Sequence, residues 1–294
     1  MESPRLPGVA SAASMRGMPR PLVTLLTDFG LRDPSAAICA GVIMGIAPEA
    51  RILDISHEVR KYAVRDGALL LWCALPYLPV GFHVAVVDPG VGTSRRPIAV
   101  RAGRGDVLVG PDNGILLPAA DRLGGVVAAR ELTDPAYRLP VVSTSFHGRD
   151  IFAPAAAHLA GGVSFDRVGP AIDPDDLVRL RWPEPIIADG VLETSVIYRD
   201  TFGNVKLAAL AGDLRAALGT LEAGDRLTVI LGPIEGRTAT TERVTWERTF
   251  GAVAAGAPLL YEDSYGRLCL ADNQGNAVER LGVVDDQPIT IRRA

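Results

Sequence analysis

Phe82-His83-Val84-Ala85-Val86-Val87-Asp88-Pro89-Gly90-Val91-Gly92-Thr93-Ser94-Arg95 is the stretch that decides the fold. Its apolar run stops abruptly at Asp88, which reads as a buried strand carrying a carboxylate to its C-terminal end, where open α/β sheets keep their ligand crevices. Pro89 fixes one backbone angle, and Gly90 and Gly92 permit positive ones, so the chain can turn back and set Arg95 beside Asp88. Alone, that pair reads more readily as a cap and ion pair closing a turn. Ser143-Thr144-Ser145-Phe146-His147-Gly148-Arg149-Asp150 shifts the balance: a strand-like segment runs into a loop and then into a helical pattern over 151–159, with His147 at the junction.

Outward from this stretch, residues 21–27 read as a first strand ending at Asp28-Phe29-Gly30. Asp33, Pro34 and Ser35 open a helix over 36–47, closed by Pro48. A strand over 51–55 and a helix over 66–78 complete a β-α-β-α-β order, which predicts a parallel, doubly wound α/β sheet. Strands over 97–101 and 106–109, joined by Gly103-Arg104-Gly105, precede a loop at 110–114, a strand over 125–131 and a helix over 151–160. Residues 169–185, dense in Pro, Asp and Arg, mark a linker. Beyond Gly190 come short β-like runs at 191–198, 226–231, 237–246, 258–261, 267–271 and 288–292, with helical periodicity only over 207–218; they predict a small all-β barrel or sandwich. The expected organisation is a disordered tail at 1–20, an α/β domain at 21–182 and a β domain at 183–294.

A chain of 294 residues, 48% hydrophobic, can bury a large core and ordinarily splits in two. Net charge −4, 5% aromatics and no basic cluster point away from nucleic acid. Cys39, Cys73 and Cys269 are widely spaced among apolar neighbours, as suits free thiols in a reducing, cytoplasmic compartment. Residues 1–20 lack the apolar core of a signal peptide, and no later run reaches membrane-spanning length. His57-Glu58-Val59-Arg60-Lys61 begins like a zincin helix, but Lys61 replaces the second histidine. With four histidines and no cysteine pair, no metal site is expected. There is no phosphate-binding G-x-x-x-x-G-K-[ST] loop and no G-x-S-x-G elbow, and Gly90-Val91-Gly92-Thr93-Ser94-Arg95 fails as a dinucleotide fingerprint because it ends on a bulky cation.

What remains is a set of strand-end carboxylates (Asp28, Asp54, Asp88), the loop His147, and turn motifs in the second half. Asp200-Thr201-Phe202-Gly203-Asn204 places an acid and an amide around a turn and reads equally as an Asx turn; Ser264-Tyr265-Gly266-Arg267 and Asn273-Gln274-Gly275-Asn276-Ala277 read first as hairpin and loop chemistry. Thr27-Asp28-Phe29-Gly30, Asp54-Ile55-Ser56-His57, Asp88-Pro89-Gly90-Val91-Gly92-Thr93, Gly110-Pro111-Asp112-Asn113-Gly114, Ser145-Phe146-His147-Gly148-Arg149-Asp150, Phe202-Gly203-Asn204 and Gly275-Asn276-Ala277, in this order over residues 21–285, resemble the S-adenosylmethionine hydroxide adenosyltransferases, relatives of the bacterial fluorinase and chlorinase.

The resemblance implies an α/β domain followed by a β-barrel, a homotrimer with sites shared between subunits, and hydrolysis of S-adenosylmethionine to adenosine and methionine without metal or separate cofactor. By the same likeness Asp88, Arg95 and His147 form the water-handling triad, and Asp28 clamps the ribose hydroxyls. Asp33 and Ser35 hold the methionine end; Tyr62 and Phe250 pack against the nucleoside; Phe146 lines the substrate beside His147. Asn204 reads the adenine edge, with the backbone of Asn276 and Ala277 also touching adenine, and Asp200 and Ser264 meet the amino acid portion. Tyr265 stands where the fluorinase has an arginine, Tyr62 where it has tryptophan, Asp88 where it has tyrosine, and Lys206-Leu207 replaces a polar pair. A carboxylate paired with a guanidinium orients water better than it strips it, so the expectation is that Arg95 and the sulfonium favour developing hydroxide while Asp88 and His147 direct it and take the proton late. The rival expectations are a halide adenosyltransferase and a nucleoside-binding protein with negligible turnover; binding alone would not require all three triad residues.

Overall fold

A computed structural model describes residues 20–294, so the tail expected at 1–20 lies outside the described residues except for Arg20. The chain divides between Val178 and Arg179, within the stretch 169–185, into two compact units.

The first unit runs β1 (Leu22–Thr27), α1 (Ser35–Ile46), β2 (Arg51–Ser56), α2 (Val64–Ala74), β3 (Phe82–Val86), β4 (Pro97–Ala102), β5 (Val107–Pro111), α3 (Leu117–Arg122), β6 (Val126–Glu131), α4 (Ala153–Ala160) and β7 (Ala171–Ile172). Its sheet has the order β2-β1-β3-β5-β4-β6-β7. Strands β2, β1, β3 and β5 are parallel. The other half is antiparallel, so the parallel order expected of the β-α-β-α-β run holds for β2, β1 and β3 while the sheet as a whole is mixed. The cause is local: Gly105 N–H donates to Ala102 at 2.9 Å, a turn too tight for anything but a hairpin between β4 and β5. Every residue of β1 is buried because both faces of the sheet are covered. Val23 and Leu25 pack with Cys39 and Ile43 of α1 and with α4. On the opposite face Leu26 and Val87 meet α2 at Gly67, where a Cβ would lie 3.1 Å from Val87.

The strand-like segment expected from Ser143 ahead of His147 does not form a strand. That segment is irregular, and a π-helical turn, Gly148–Phe152, precedes α4 in place of the regular helical start expected at 151. Helix α3, six residues without a side-chain cap, left no signal in the sequence.

The second unit contains β8 (Ile186–Ala188), β9 (Val191–Arg199), β10 (Val205–Leu210), α5 (Ala211–Leu218), β11 (Arg226–Leu231), β12 (Thr240–Trp246), β13 (Pro258–Glu262), β14 (Arg267–Asp272), α6 (Ala277–Leu281) and β15 (Pro288–Arg293). Strands β10-β14-β13-β12-β11-β15-β9 close through a β9–β10 pairing into a seven-stranded barrel, with β8 appended to β9. Closure removes the exposed edges of an open sheet. It also corrects the helical reading of 207–218: Val205, Leu207 and Ala209 point into the core at the strand period, and the helix starts only at Ala211, where Asp213 accepts the N–H of Leu210 at 2.7 Å. No helix among the described residues is long and apolar enough to cross a membrane.

Candidate functional site

The sequence logic of the Asp88 turn is realised directly. Asp88 follows the buried end of β3; the turn closes through Val91 N–H to Asp88 O at 3.2 Å and Thr93 N–H to Gly90 O at 3.2 Å. Arg95 thereby swings back onto Asp88, its Nε donating to Oδ1 at 2.9 Å and its Nη2 to Oδ2. Nη2 also donates to His147 Nδ1 at 3.0 Å. The pair is withdrawn from solvent, the side chains being 10% and 5% exposed, and the guanidinium lies over the Phe152 ring at 5.1 Å. Arg95 Nη1 is buried with no hydrogen-bond partner.

A guanidinium only donates, so His147 Nδ1 must accept. The ring is the neutral tautomer with its hydrogen on Nε2. Burial, and then the Arg95 charge, hold its pKa below the ordinary 6.5, which agrees with that tautomer.

Two devices bring His147 to this turn. Gly92, at φ +77°, lies so close to the loop before His147 that a Cβ would stand 2.3 Å from Thr144 O. Asp150, fully buried, anchors that loop: it accepts from Ser143 N–H at 2.9 Å and from Arg149 Nε at 2.6 Å. Burial would raise the Asp150 pKa, but these hydrogen bonds hold it low. Gly148 leaves room for Phe29, which meets Phe146 edge-on at 5.7 Å.

Asp28, buried just after β1, accepts Tyr62 N–H on Oδ2 at 2.9 Å, and its main-chain oxygen accepts from Lys61 Nζ. The floor beneath it is ordered by Thr27 Oγ1, which accepts Phe29 N–H at 3.2 Å and donates to His57 Nδ1 at 2.8 Å, while His57 Nε2 faces Asp54 at 3.1 Å. Asp28, Lys61, Tyr62, Asp88, Phe146 and His147 share one cavity of about 250 Å³, together with Phe29, Val86, Val91, Ser145 and Gly148. Asp33 and Ser35 do not line it; Asp33 is exposed and Ser35 begins α1. Lys61, singled out in the sequence only for spoiling a zinc motif, and Ser145 are cavity residues that reading the chain did not identify. Neither carried a signal, because a lone lysine or serine in a loop is ordinary.

In the second unit, Gly203 (φ +83°) sits against Asn276, whose Oδ1 would be 2.2 Å from a Cβ there, and Val278 N–H donates to Gly203 O at 3.0 Å. The Phe202-Gly203-Asn204 turn and the Asn276-Ala277 start of α6 are therefore one cluster. Asp200 accepts from the N–H of Phe202 and Asn204 and from Asn204 Nδ2 at 2.9 Å. Asn276 caps α6 through Glu279 N–H at 3.0 Å, and Ala277 is buried behind it. Ser264, exposed, and Tyr265 lie in the β13–β14 hairpin, with Lys206 Nζ over the Tyr265 ring at 5.5 Å. Phe250, exposed, rests on Tyr261 at 4.8 Å. Among the described residues no group of three or more His, Cys, Asp and Glu is placed to hold a metal ion.

Chemically, the first-unit cavity sets the Asp28 carboxylate, with Oδ1 left to accept, in the same lining as the Asp88 carboxylate and the neutral His147 imidazole, both bonded to the Arg95 guanidinium; such a group can hold and aim a water molecule. The chain's likenesses agree with this chemistry. Residues 23–169 match the N-terminal domain, and residues 194–290 the C-terminal domain, of the S-adenosylmethionine hydroxide adenosyltransferases. An (R)-S-adenosyl-L-methionine hydrolase of Salinispora tropica is 47% identical over 270 residues, covering 90% of this chain and 95% of that protein; one of Salinispora arenicola is 43% identical over 274 residues, covering 92% and 97%. The crystal structure of an uncharacterized conserved protein from Thermotoga maritima superposes with a TM-score of 0.84 at 33% identity, over 92% of this chain and 100% of that one.

Proposed function

From the premise that this chain belongs to the S-adenosylmethionine hydroxide adenosyltransferase family, we propose that it hydrolyses (R)-S-adenosyl-L-methionine to adenosine and L-methionine. The observation that carries the reading is the Asp88–Arg95–His147 cluster opening on the same cavity as the Asp28 carboxylate.

In this reading water bonds to ribose C5′ as the C5′–S bond breaks, and the electron pair leaves with sulfur as the neutral thioether of methionine. The leaving group is already cationic, so the protein's task is alignment and exclusion of competing solvent. Asp28 holds the ribose, Asp88 accepts a hydrogen bond from the water and finally its proton, and the Arg95 guanidinium offsets the charge growing on oxygen. Because Arg95 occupies Nδ1 of His147, the imidazole contributes only the Nε2–H donor. Asp88 alone, rather than Asp88 and His147 together, is then the proton acceptor. Tyr62, Phe146 and Phe250 pack the nucleoside, Asn204, Asn276 and Ala277 read adenine, and Asp33, Ser35, Asp200, Ser264 and Tyr265 take the amino acid end. The scheme draws on no metal or cofactor, since the sulfonium is its own leaving group.

We assign the active unit as a homotrimer in which one subunit's first unit is completed by a neighbour's second. Two facts support it: the candidate residues divide between the two units, Asp28, Tyr62, Asp88, Phe146 and His147 lining a cavity of the first and Asn204, Asn276 and Ala277 clustering in the second, and the first-unit cavity of about 250 Å³ is below the about 300–1,000 Å³ usual for a pocket enclosing a small molecule. A cytoplasmic location is supported by Cys39, Cys73 and Cys269, all buried and none in a disulfide. Hydrolysis of each sulfonium epimer in ¹⁸O-water tests the function: the R epimer should yield adenosine labelled at the 5′-hydroxyl, and unlabelled adenosine or none would refute it.

A further inference from the structure

Lys61 donates to the main-chain oxygen of Asp28 while the next residue, Tyr62, donates its N–H to the Asp28 carboxylate. The two bonds hold Asp28 from both ends, and neither consumes Oδ1. The segment that supplies them is itself tied down: Arg60 forks onto Asp66 of α2, Nε to Oδ2 at 2.5 Å and Nη2 to Oδ1 at 2.8 Å, and Asp66 is 2% exposed. Between these anchors Tyr62 adopts φ +65°, a left-handed conformation that costs a tyrosine energy and persists only where its surroundings enforce it. Tyr62, 71% exposed, stands at the rim of the cavity. Residues 60–62 thus form a strap drawn across Asp28 against backbone strain, and the one cationic side chain of the cavity lining is spent on a carbonyl rather than on the carboxylate.

We propose that Lys61 is a positioning residue: by holding the strap on Asp28 it keeps that carboxylate aimed into the cavity as a preformed acceptor for the two vicinal hydroxyls of a nucleoside ribose. The proposal rests on the hydrolase reading for the identity of the ligand. It requires the ammonium and not merely the alkyl stem, and it requires Asp28 as the intermediary.

Lys61→Met keeps the stem and removes the donor; Lys61→Arg keeps a donor. Adenosine affinity by calorimetry and the KM and kcat of adenosine release are measured for both, for Asp28→Ala and for Lys61→Met in the Asp28→Ala background, with thermal unfolding as the control for folding. Lys61→Met should weaken adenosine binding and raise KM about tenfold, with the smaller share of the loss in kcat, and Lys61→Arg should recover most of it. In the Asp28→Ala background the Lys61→Met change should add less than about twofold. Unchanged affinity in Lys61→Met, no recovery in Lys61→Arg, or an equal loss in both backgrounds would overturn the proposal. Wild-type protein that binds adenosine yet releases none from the sulfonium substrate would refute the hydrolase reading while leaving the calorimetric test of Lys61 standing; wild-type protein that binds no adenosine would overturn both.

Discussion

Gly92→Ala is the perturbation whose consequence the geometry states most directly. The new Cβ would stand 2.3 Å from the main-chain oxygen of Thr144, where ordinary contact begins near 3.4 Å, so the Asp88 turn and the His147 loop must separate by about 1 Å. That separation acts on the 3.0 Å bond between Arg95 and His147 that joins the two segments. A misplacement of about 1 Å can cost on the order of 10²-fold in rate, so kcat should fall about that far. The φ of +77° adds backbone strain of about 1 kcal/mol, or about 2–4 °C in melting temperature, with the steric term on top. Gly125→Ala separates the two effects: its φ is +82° but nothing lies within 4 Å of a Cβ there, so it should lose about 1 kcal/mol and keep its kcat. Steady-state adenosine release and thermal melts on both variants decide the matter. Gly92→Ala with wild-type kcat, or both variants losing activity in proportion to stability, would refute the claim that this contact holds the triad together.

Asp28→Ala removes a charged acceptor for two hydroxyls, at about 1.5–3 kcal/mol each with part recovered by water, so adenosine affinity by calorimetry should fall about 10²-fold; 2′-deoxyadenosine should then bind the variant as well as adenosine does. His147 works neutral, and its pKa lies below the ordinary histidine value, so kcat/KM should stay flat as pH falls through 6.5 and decline only in more acidic buffer. Over that same window the unfolded chain binds a proton the folded one does not, so acidification should also lower stability, and a steep loss of activity at or above pH 6.5 would contradict the assignment. Chloride or fluoride should yield no 5′-halo nucleoside by chromatography, since the Asp88 carboxylate repels an anion seated for attack at C5′. Native mass measurement should give a trimer, and mixed trimers of Asp88→Ala with a Phe250→Ala, Asn204→Ala subunit should regain activity; mixing without recovery would place the site within one subunit.

What the chain disclosed by itself was whatever depends on near neighbours. The strand-to-turn passage from Val87 to Arg95 is local: an apolar run, a proline and two glycines suffice to fold Arg95 onto Asp88. The barrel strands β11, β14 and β15 were legible for the same reason, each being a short apolar run between turn formers. Where local signals compete the reading failed. The alternation of 205–210 is short enough to pass for a helical face, and pairing of β10 with both β9 and β14 settles it as a strand. Ser143 to His147 has strand-like composition, but its hydrogen bonds go to the side chains of Ser143 and Asp150 rather than to a ladder. The resemblance named His147 and Tyr62, yet only the sheet order places them: His147 lies 52 residues from Arg95, and Tyr62 is 34 from the carboxylate it supports. The tautomer of His147, the strap role of Lys61 and the seating of Gly92 against Thr144 all depend on which groups the packed sheet forces within bonding distance. Spacing along a chain carries no information about contacts of that kind, because the free energy that makes them comes from burying β1 and β3 between helices rather than from the residues that touch.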